Sequence, residues 1–230
     1  MHYKFLDSIH VPNVMVDGTI IISSFDYFRR LEGSAWGEIA DNLEAATEFR
    51  LPDDFIATAD SAELAQLNNA GIGLGMCAQF ARVESGGKLV LSGARFIHQM
   101  PDAFIFSASW GVLDSLRKYM CEDAPKPYSA CLKIRSLHRL ESCIFHEGYI
   151  RELDCKFSDV FERGQRGVVT YEVRSNSLPE AVLPPSAFKK GVRFKDQSEA
   201  RITFIPKVAM SHSRLTIQVP NPSGLFERLF

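Results

Sequence analysis

Short runs of β-branched and aromatic residues, each cut off within a few positions by glycine or proline, constrain this chain more than any other feature. Residues 77–83, 88–96 and 104–109 are such runs, separated by Gly86-Gly87 and by Met100-Pro101-Asp102. Spacing this short suits antiparallel neighbours joined by tight turns, because parallel strands need a crossover of a dozen or more residues. Upstream, the turn pair Asp17-Gly18 precedes Thr19, Ile20, Ile21 and Ile22, which predicts a tight turn feeding a strand. Downstream, residues 193–205 and 214–219 read as two further strands, stopped by Pro206 and Pro220.

Helical signals are fewer. Asp60-Ser61 can cap a helix that runs to Ala70 and is ended by Gly71. After Trp110-Gly111, the apolar positions Val112, Leu113, Leu116, Tyr119 and Met120 recur at three and four residues, the stripe of a helix lying on a core. Residues 130–134 read as a strand, and Leu137, Leu140 and Ile144 share one side of a helix over 136–146 that ends at Gly148. Gly33 and Gly37 interrupt residues 25–48, which are expected to form an ordered loop with short helical turns. Residues 149–165 are ambiguous, 167–174 alternate well enough for a strand, and 178–185 form a linking loop. Strands and helices do not alternate regularly, so a doubly wound parallel sheet is not expected. The expectation is a single α+β domain over 1–230, mainly antiparallel, with about seven to nine strands and three or four helices.

Charge narrows the range of partners. The 26 basic and 28 acidic side chains are interspersed, without the concentrated positive field that neutralises nucleic-acid phosphates. Nucleic acid is therefore not expected as the main partner. No stretch reaches the roughly 18 apolar residues of a membrane helix. The start MHYKFLDSIH also lacks the cationic-then-apolar order of a secretory leader, so a cytoplasmic protein without a membrane partner is expected. The cysteines, Cys77, Cys121, Cys131, Cys143 and Cys155, are odd in number and include no CxxC pair. That disfavours a disulfide framework or zinc knuckle and predicts reduced thiols and no metal.

Two segments carry polar groups in a pattern that invites chemistry. If FKDQSEARITFI is one strand, Gln197, Glu199, Arg201 and Thr203 share a face and Ser198, Ala200, Ile202 and Phe204 the other. A polar face that simply meets water is the plain alternative. In FIFSASW, Ser107 and Ser109 lie on one face of an otherwise apolar run, where buried hydroxyls need hydrogen-bond partners. Bonding to nearby backbone is the plain alternative there.

A Ser-x-Ser strand followed later by a Gln-x-Glu strand resembles the Arg-Ser-Glu class of ADP-ribosyltransferases, whose final Glu is catalytic. The residues that carry the resemblance are Ser107, Ser109, Gln197 and Glu199, with Ala108 standing where Thr is more usual. The layout from Gly18 to Glu44 and the ending FKKGVRFKDQSEARITF also loosely resemble bacterial abortive-infection proteins of the AbiGi-like type. The resemblance implies NAD as substrate, for ADP-ribose transfer or for NAD hydrolysis, and an ADP-ribosyltransferase-like split sheet, in a toxin or phage-defence effector with a protein as target or partner. Glu199 would stabilise the oxocarbenium-like charge that builds on the ribose when nicotinamide leaves. Gln197 would orient the acceptor nucleophile, while Ser107 or Ser109 would hold the Glu199 carboxylate.

The family also places an Arg or His early in the chain. The candidates here are His2, His10 and Arg29, and the sequence does not choose among them. Arg29 follows Tyr27 and Phe28, a cation beside a stacking surface, so Tyr27 and Arg29 are also candidate NAD contacts. Other constellations are weaker. Cys143 and His146, three apart on a helix, lack a third orienting group and read as core residues. Gly71 to Gly75, GIGLG, follows a helix instead of opening one, which removes the dipole that binds phosphate. Asp41 and Glu44 read as a solvated edge. The competing reading is a non-enzymatic interaction module, such as an antitoxin or phage-encoded modulator, docking through residues 27–36.

Overall fold

The computed structural model describes residues 1–31, 45–50, 55–57, 62, 65, 81–84, 88–91, 95–124, 127–172 and 185–230. The chain forms two compact units: Met1–Glu44 with Pro101–Tyr171 and Ala187–Phe230, and Ala45–Met100 with Glu172–Ser186. In the second unit Ala46–Arg50 pairs antiparallel with Arg95–Gln99, and Lys88–Leu91 lies between Phe55–Ala57 and Ala81–Glu84. The run read over 88–96 thus holds parts of two strands, Lys88–Leu91 and Arg95–Gln99.

The first unit is built on a ten-stranded antiparallel sheet. Its strands are β1 (His2–Leu6), β2 (Thr19–Ser24), β3 (Phe104–Trp110), β4 (Ala130–Ile134) and β5 (Tyr149–Ile150), followed by β6 (Cys155–Lys156), β7 (Gln165–Val168), β8 (Glu199–Phe204), β9 (Arg214–Gln218) and β10 (Phe226–Arg228). The order is β6-β5-β9-β2-β3-β1-β4-β10, with β8 also paired to β3 and β7 to β8. The helices are α1 (Val11–Met15), α2 (Phe25–Arg30), α3 (Leu113–Arg117), α4 (Leu137–Glu147) and α5 (Phe157–Val160), and α3 runs on into a π-helical turn at Lys118–Asp123. The class is the α+β antiparallel one expected, with more strands and more helical segments than the turn signals suggested.

Local chemistry accounts for the elements that matter most. Gly18 has φ +66, and a Cβ there would come within 2.0 Å of the Val219 carbonyl oxygen, so only glycine fits the turn that opens β2. Ser24 caps α2, its Oγ accepting from the Tyr27 amide at 3.2 Å, and Asp26 and Arg29-Arg30 lie at the dipole ends they favour. Ser136 caps α4 in the same way at 3.2 Å from the Arg139 amide, and Leu137, Leu140 and Ile144 are buried as their spacing predicts.

Strand β3 organises the unit. Along one edge it pairs with β8 in register from Glu199 opposite Ser109 to Phe204 opposite Phe104. On its other edge β1 meets it at Ser109 and Trp110, and β2 meets it at Phe104 and Ile105. Between those contacts, at Phe106 to Ala108, neither β1 nor β2 is in register, and the sheet divides. Alternation gives β3 and β8 two unlike faces. Phe104, Phe106 and Ala108 with Ala200, Ile202 and Phe204 enter the main core beside Ile20, Leu140 and Ile144. Ser107, Ser109, Glu199, Arg201 and Thr203 take the other face.

Two sequence readings need correction. Residues 193–205 are not one strand: Val192–Gln197 is a 3-10 helix, closed where the Ser198 amide donates to the Lys195 carbonyl at 3.0 Å, with Ser198 at φ +43. Gln197 therefore does not share a strand face with Glu199. The polar face of β8 does not meet water either, since Glu199, Arg201 and Thr203 are all buried. Residues 25–30 form a short helix within the segment expected to carry short helical turns, and 32–44 of that segment lie outside the described residues. Several other expectations lie outside the described residues: the body of the helix over 60–70, GIGLG, Gly86-Gly87, Asp41, Glu44, Trp36 and most of 178–185. Among the described residues no helix is long and apolar enough to cross a membrane.

Candidate functional site

Residues of β1, β2, β3 and β8 line a cavity of about 510 Å³, within the range of roughly 300–1,000 Å³ that holds small ligands. Glu199 on its wall accepts four side-chain hydrogen bonds. Oε1 accepts from Ser107 Oγ at 2.6 Å and Arg201 Nε at 2.7 Å, while Oε2 accepts from Arg201 Nη2 at 3.0 Å and Lys190 Nζ at 3.1 Å. Arg201, two residues along β8, grips the carboxylate with two nitrogens and gives Nη1 to the Ala187 carbonyl at 2.6 Å. Ser107 reaches Glu199 diagonally, since its own partner across the ladder is Arg201 and the residue opposite Glu199 is Ser109.

Burial by itself pushes the Glu199 carboxyl up, but Arg201, Lys190 and the hydrogen bonds from Arg201 and Ser107 together outweigh it and hold it well below the usual carboxylate range. Glu199 is thus ionised at any physiological pH. A carboxyl whose folded value is depressed contributes stability that is complete above its unfolded value of 4.5 and is lost as pH falls beneath it. Unfolding by urea, followed by circular dichroism, should therefore show stability falling as pH is taken below about 4.5, and falling less steeply in Glu199→Gln.

Lys4 enters from β1 at the place where the sheet divides. The Ser107 carbonyl, which has no strand partner on that edge, accepts from Lys4 Nζ at 2.8 Å, and the ammonium lies 5.0 Å from the Phe106 ring centroid. Burial lowers Lys4 from 10.5 to about 8, against an opposing pull from Glu199. Lys190, 4 % exposed, bridges Glu199 and the Gln197 amide oxygen, at 3.0 Å from the latter, and lies over the Phe194 ring.

Of the residues that the motifs point to, Glu199, Gln197, Ser107, Ser109 and Tyr27 all line this cavity. Arg29 lies half-buried on α2 and is not among the lining residues. Tyr27 carries the Arg214 guanidinium 5.0 Å from its ring centroid. Of the early histidines, His10 lines the cavity, whereas His2 pairs with Trp110 and Ile134 in the sheet. The Cys143 thiol is pushed up to about 11, by burial first and then by Glu147, which leaves it inert as a nucleophile. No group of His, Cys, Asp and Glu among the described residues could hold a metal ion.

Sequence reasoning missed Lys4 and Lys190. HYKFL alternates with period two, a strand signal that would have placed Lys4 in the sheet beside FIFSASW. Lys190 carries no local signal, because only the fold brings Lys189–Gly191 to Glu199. No protein-family model matches the chain, and no curated protein or solved structure matches it either.

Proposed function

We propose that the chain is an ADP-ribosyltransferase-like enzyme that binds NAD in this cavity and cleaves the bond between nicotinamide and ribose. The observation that carries the reading is the 2.6 Å bond from Ser107 to Glu199 on the wall of a cavity of about 510 Å³. A carboxylate held ionised is what an oxocarbenium-like sugar requires beside it, since the role is electrostatic and needs no proton transfer. Tyr27 offers a flat surface for a base or the nicotinamide ring, and Gln197, which also lines the cavity, would direct the acceptor, either water or a side chain of a target protein. The setting is the cytoplasm, in keeping with the free thiols of Cys121, Cys131, Cys143 and Cys155, and the biological role is that of a toxin or phage-defence effector.

The test is nicotinamide release and label transfer from radiolabelled NAD, in buffer and in lysate. Glu199→Gln should lower turnover by about 10²–10³, the usual cost of losing one electrostatic stabiliser. Ser107→Ala, which leaves both cations paired, should lower it less. Circular dichroism and NAD affinity establish that each variant is folded. No turnover and no NAD affinity in the wild type would sink the enzyme.

One observation favours a non-enzymatic reading. A carboxylate offers about four acceptor positions, and Ser107, Lys190 and two nitrogens of Arg201 occupy that many on Glu199. Glu199 would then be a structural anchor and the chain an interaction module. No nicotinamide release from wild type or Glu199→Gln, and no NAD affinity in either, is the result that reading expects.

A further inference from the structure

We infer that Tyr171 is a positioning residue for Glu199, its hydroxyl fixing the main chain from which the carboxylate is presented to the cavity. Along an antiparallel strand the N–H and C=O of one residue point to the same edge. The main-chain groups of Glu199 point to the β7 edge of β8 and not to β3, because its carbonyl accepts from the Val169 amide at 2.9 Å. The ladder to β7 has ended by then, its last pair being Val168 with Ala200. The Glu199 amide therefore lies beyond the strand that would pair it. Glu199 is 6 % exposed, so an amide left without an acceptor there would be costly. Tyr171 Oη takes the place of the missing main-chain acceptor and receives that N–H at 2.6 Å.

Tyr171 is not among the residues that line the cavity, so it acts through Glu199 and not on a ligand. It belongs to the short strand Thr170–Glu172, which pairs with Lys189–Gly191, and the latter carries the Lys190 ammonium on Glu199 Oε2. One pair of strands thus holds Glu199 twice, at the amide through Tyr171 and at the carboxylate through Lys190. The residue before Glu199 makes such a tie necessary. Ser198 is left-handed at φ +43, a conformation that a serine keeps only where its surroundings impose it. Trp110 N–H holds the Ser198 carbonyl at 2.7 Å on the β3 side, and Tyr171 holds the next peptide on the other. The four bonds on the carboxylate orient its oxygens, while the hydroxyl sets the backbone from which they hang. The inference rests on the enzyme reading, in which Glu199 must meet the ribose to within a fraction of an ångström. In an interaction module Tyr171 would contribute to stability alone.

The experiment is steady-state nicotinamide release from NAD by the full chain, wild type against Tyr171→Phe, which keeps the ring and removes the acceptor. Turnover should fall about tenfold, the rate equivalent of one neutral hydrogen bond, with KM for NAD unchanged. In the Glu199→Gln background the same change should have no further effect, because the group it positions is gone. A merely structural role would lower turnover equally in both backgrounds. Thr170→Val is the control: it removes the 3.2 Å bond from Thr170 Oγ to the Phe188 carbonyl on the same strand, and should leave turnover unchanged. Amide hydrogen exchange at Glu199 tests the bond even if Tyr171→Phe fails to fold, since it should be slow in the wild type, and fast exchange there overturns the inference. Release that Tyr171→Phe leaves intact, that falls equally in both backgrounds, or that changes only in KM overturns the inference and keeps the enzyme. No release from the wild type removes the enzyme and this inference with it.

Discussion

Replacing Arg201 with methionine should lower the free energy of unfolding by about 3–5 kcal/mol, the cost of stranding a buried charge by removing its partner. Arg201 is 0 % exposed, and its guanidinium supplies two bonds to Glu199 and one to the Ala187 carbonyl. Methionine roughly keeps the volume, so the loss is electrostatic and not a cavity effect. Lys190 and Ser107 would remain on Glu199 but cannot reproduce the two-pronged grip, and the Ala187 carbonyl would lose a charged donor. Urea unfolding of Arg201→Met, Glu199→Gln and the double variant gives the coupling. The double variant should be more stable than the sum of the two single losses implies, because it no longer strands the carboxylate. A loss below about 1 kcal/mol in Arg201→Met would mean that the carboxylate finds water in the cavity, and would remove the grounds for a rigid cluster.

The fold class was legible because antiparallel sheets leave local marks. Gly18, Ser136, Gly148, Pro206 and Pro220 each sit at an element boundary for a reason visible within a few residues. The alternation in FIFSASW and in EARITF fixed which side chains share a face. What sequence could not supply was which strands touch. That Ser107 and Glu199 meet depends on β3 pairing with β8 across 92 residues, and loop-closure entropy leaves no local trace of such a choice. The burial of Glu199, Arg201 and Thr203 was illegible for the same reason. A strand with three polar residues on one face has the pattern of a solvated surface, and it becomes an interior where Ala187 and the strand Lys189–Gly191 bond to it. The error at Gln197 was different in kind. Strand alternation fails through KDQS because a 3-10 turn closed at Ser198 competes successfully with extension there.

Phe204→Ala should cost about 3–5 kcal/mol, and it tests whether the apolar face of β8 is what keeps its charged face in place. Phe204 is 0 % exposed and packs edge-on against Phe157 at 4.8 Å between centroids, while Phe157 stacks on Phe161 at 4.5 Å. These rings come from β8, α5 and the segment just after α5, so truncation opens a cavity that backbone on three sides cannot easily fill. Gly164 lies against the same ring, and a Cβ there would come within 2.8 Å of it. The neighbouring chain is thus already in contact with Phe204 and is fixed by it. A buried ion cluster is by itself weak support for a fold, because desolvation offsets much of its attraction. The register that brings Glu199 to Ser107 must therefore come chiefly from Ala200, Ile202 and Phe204 in the core. Chemical denaturation should show the loss, and amide hydrogen exchange at Arg201 and Thr203 should accelerate with it. Val168→Ala, at a position 41 % exposed, should change stability by no more than about 0.5 kcal/mol. If Phe204→Ala is as mild as that control, the charged face and not the apolar one is holding the strand.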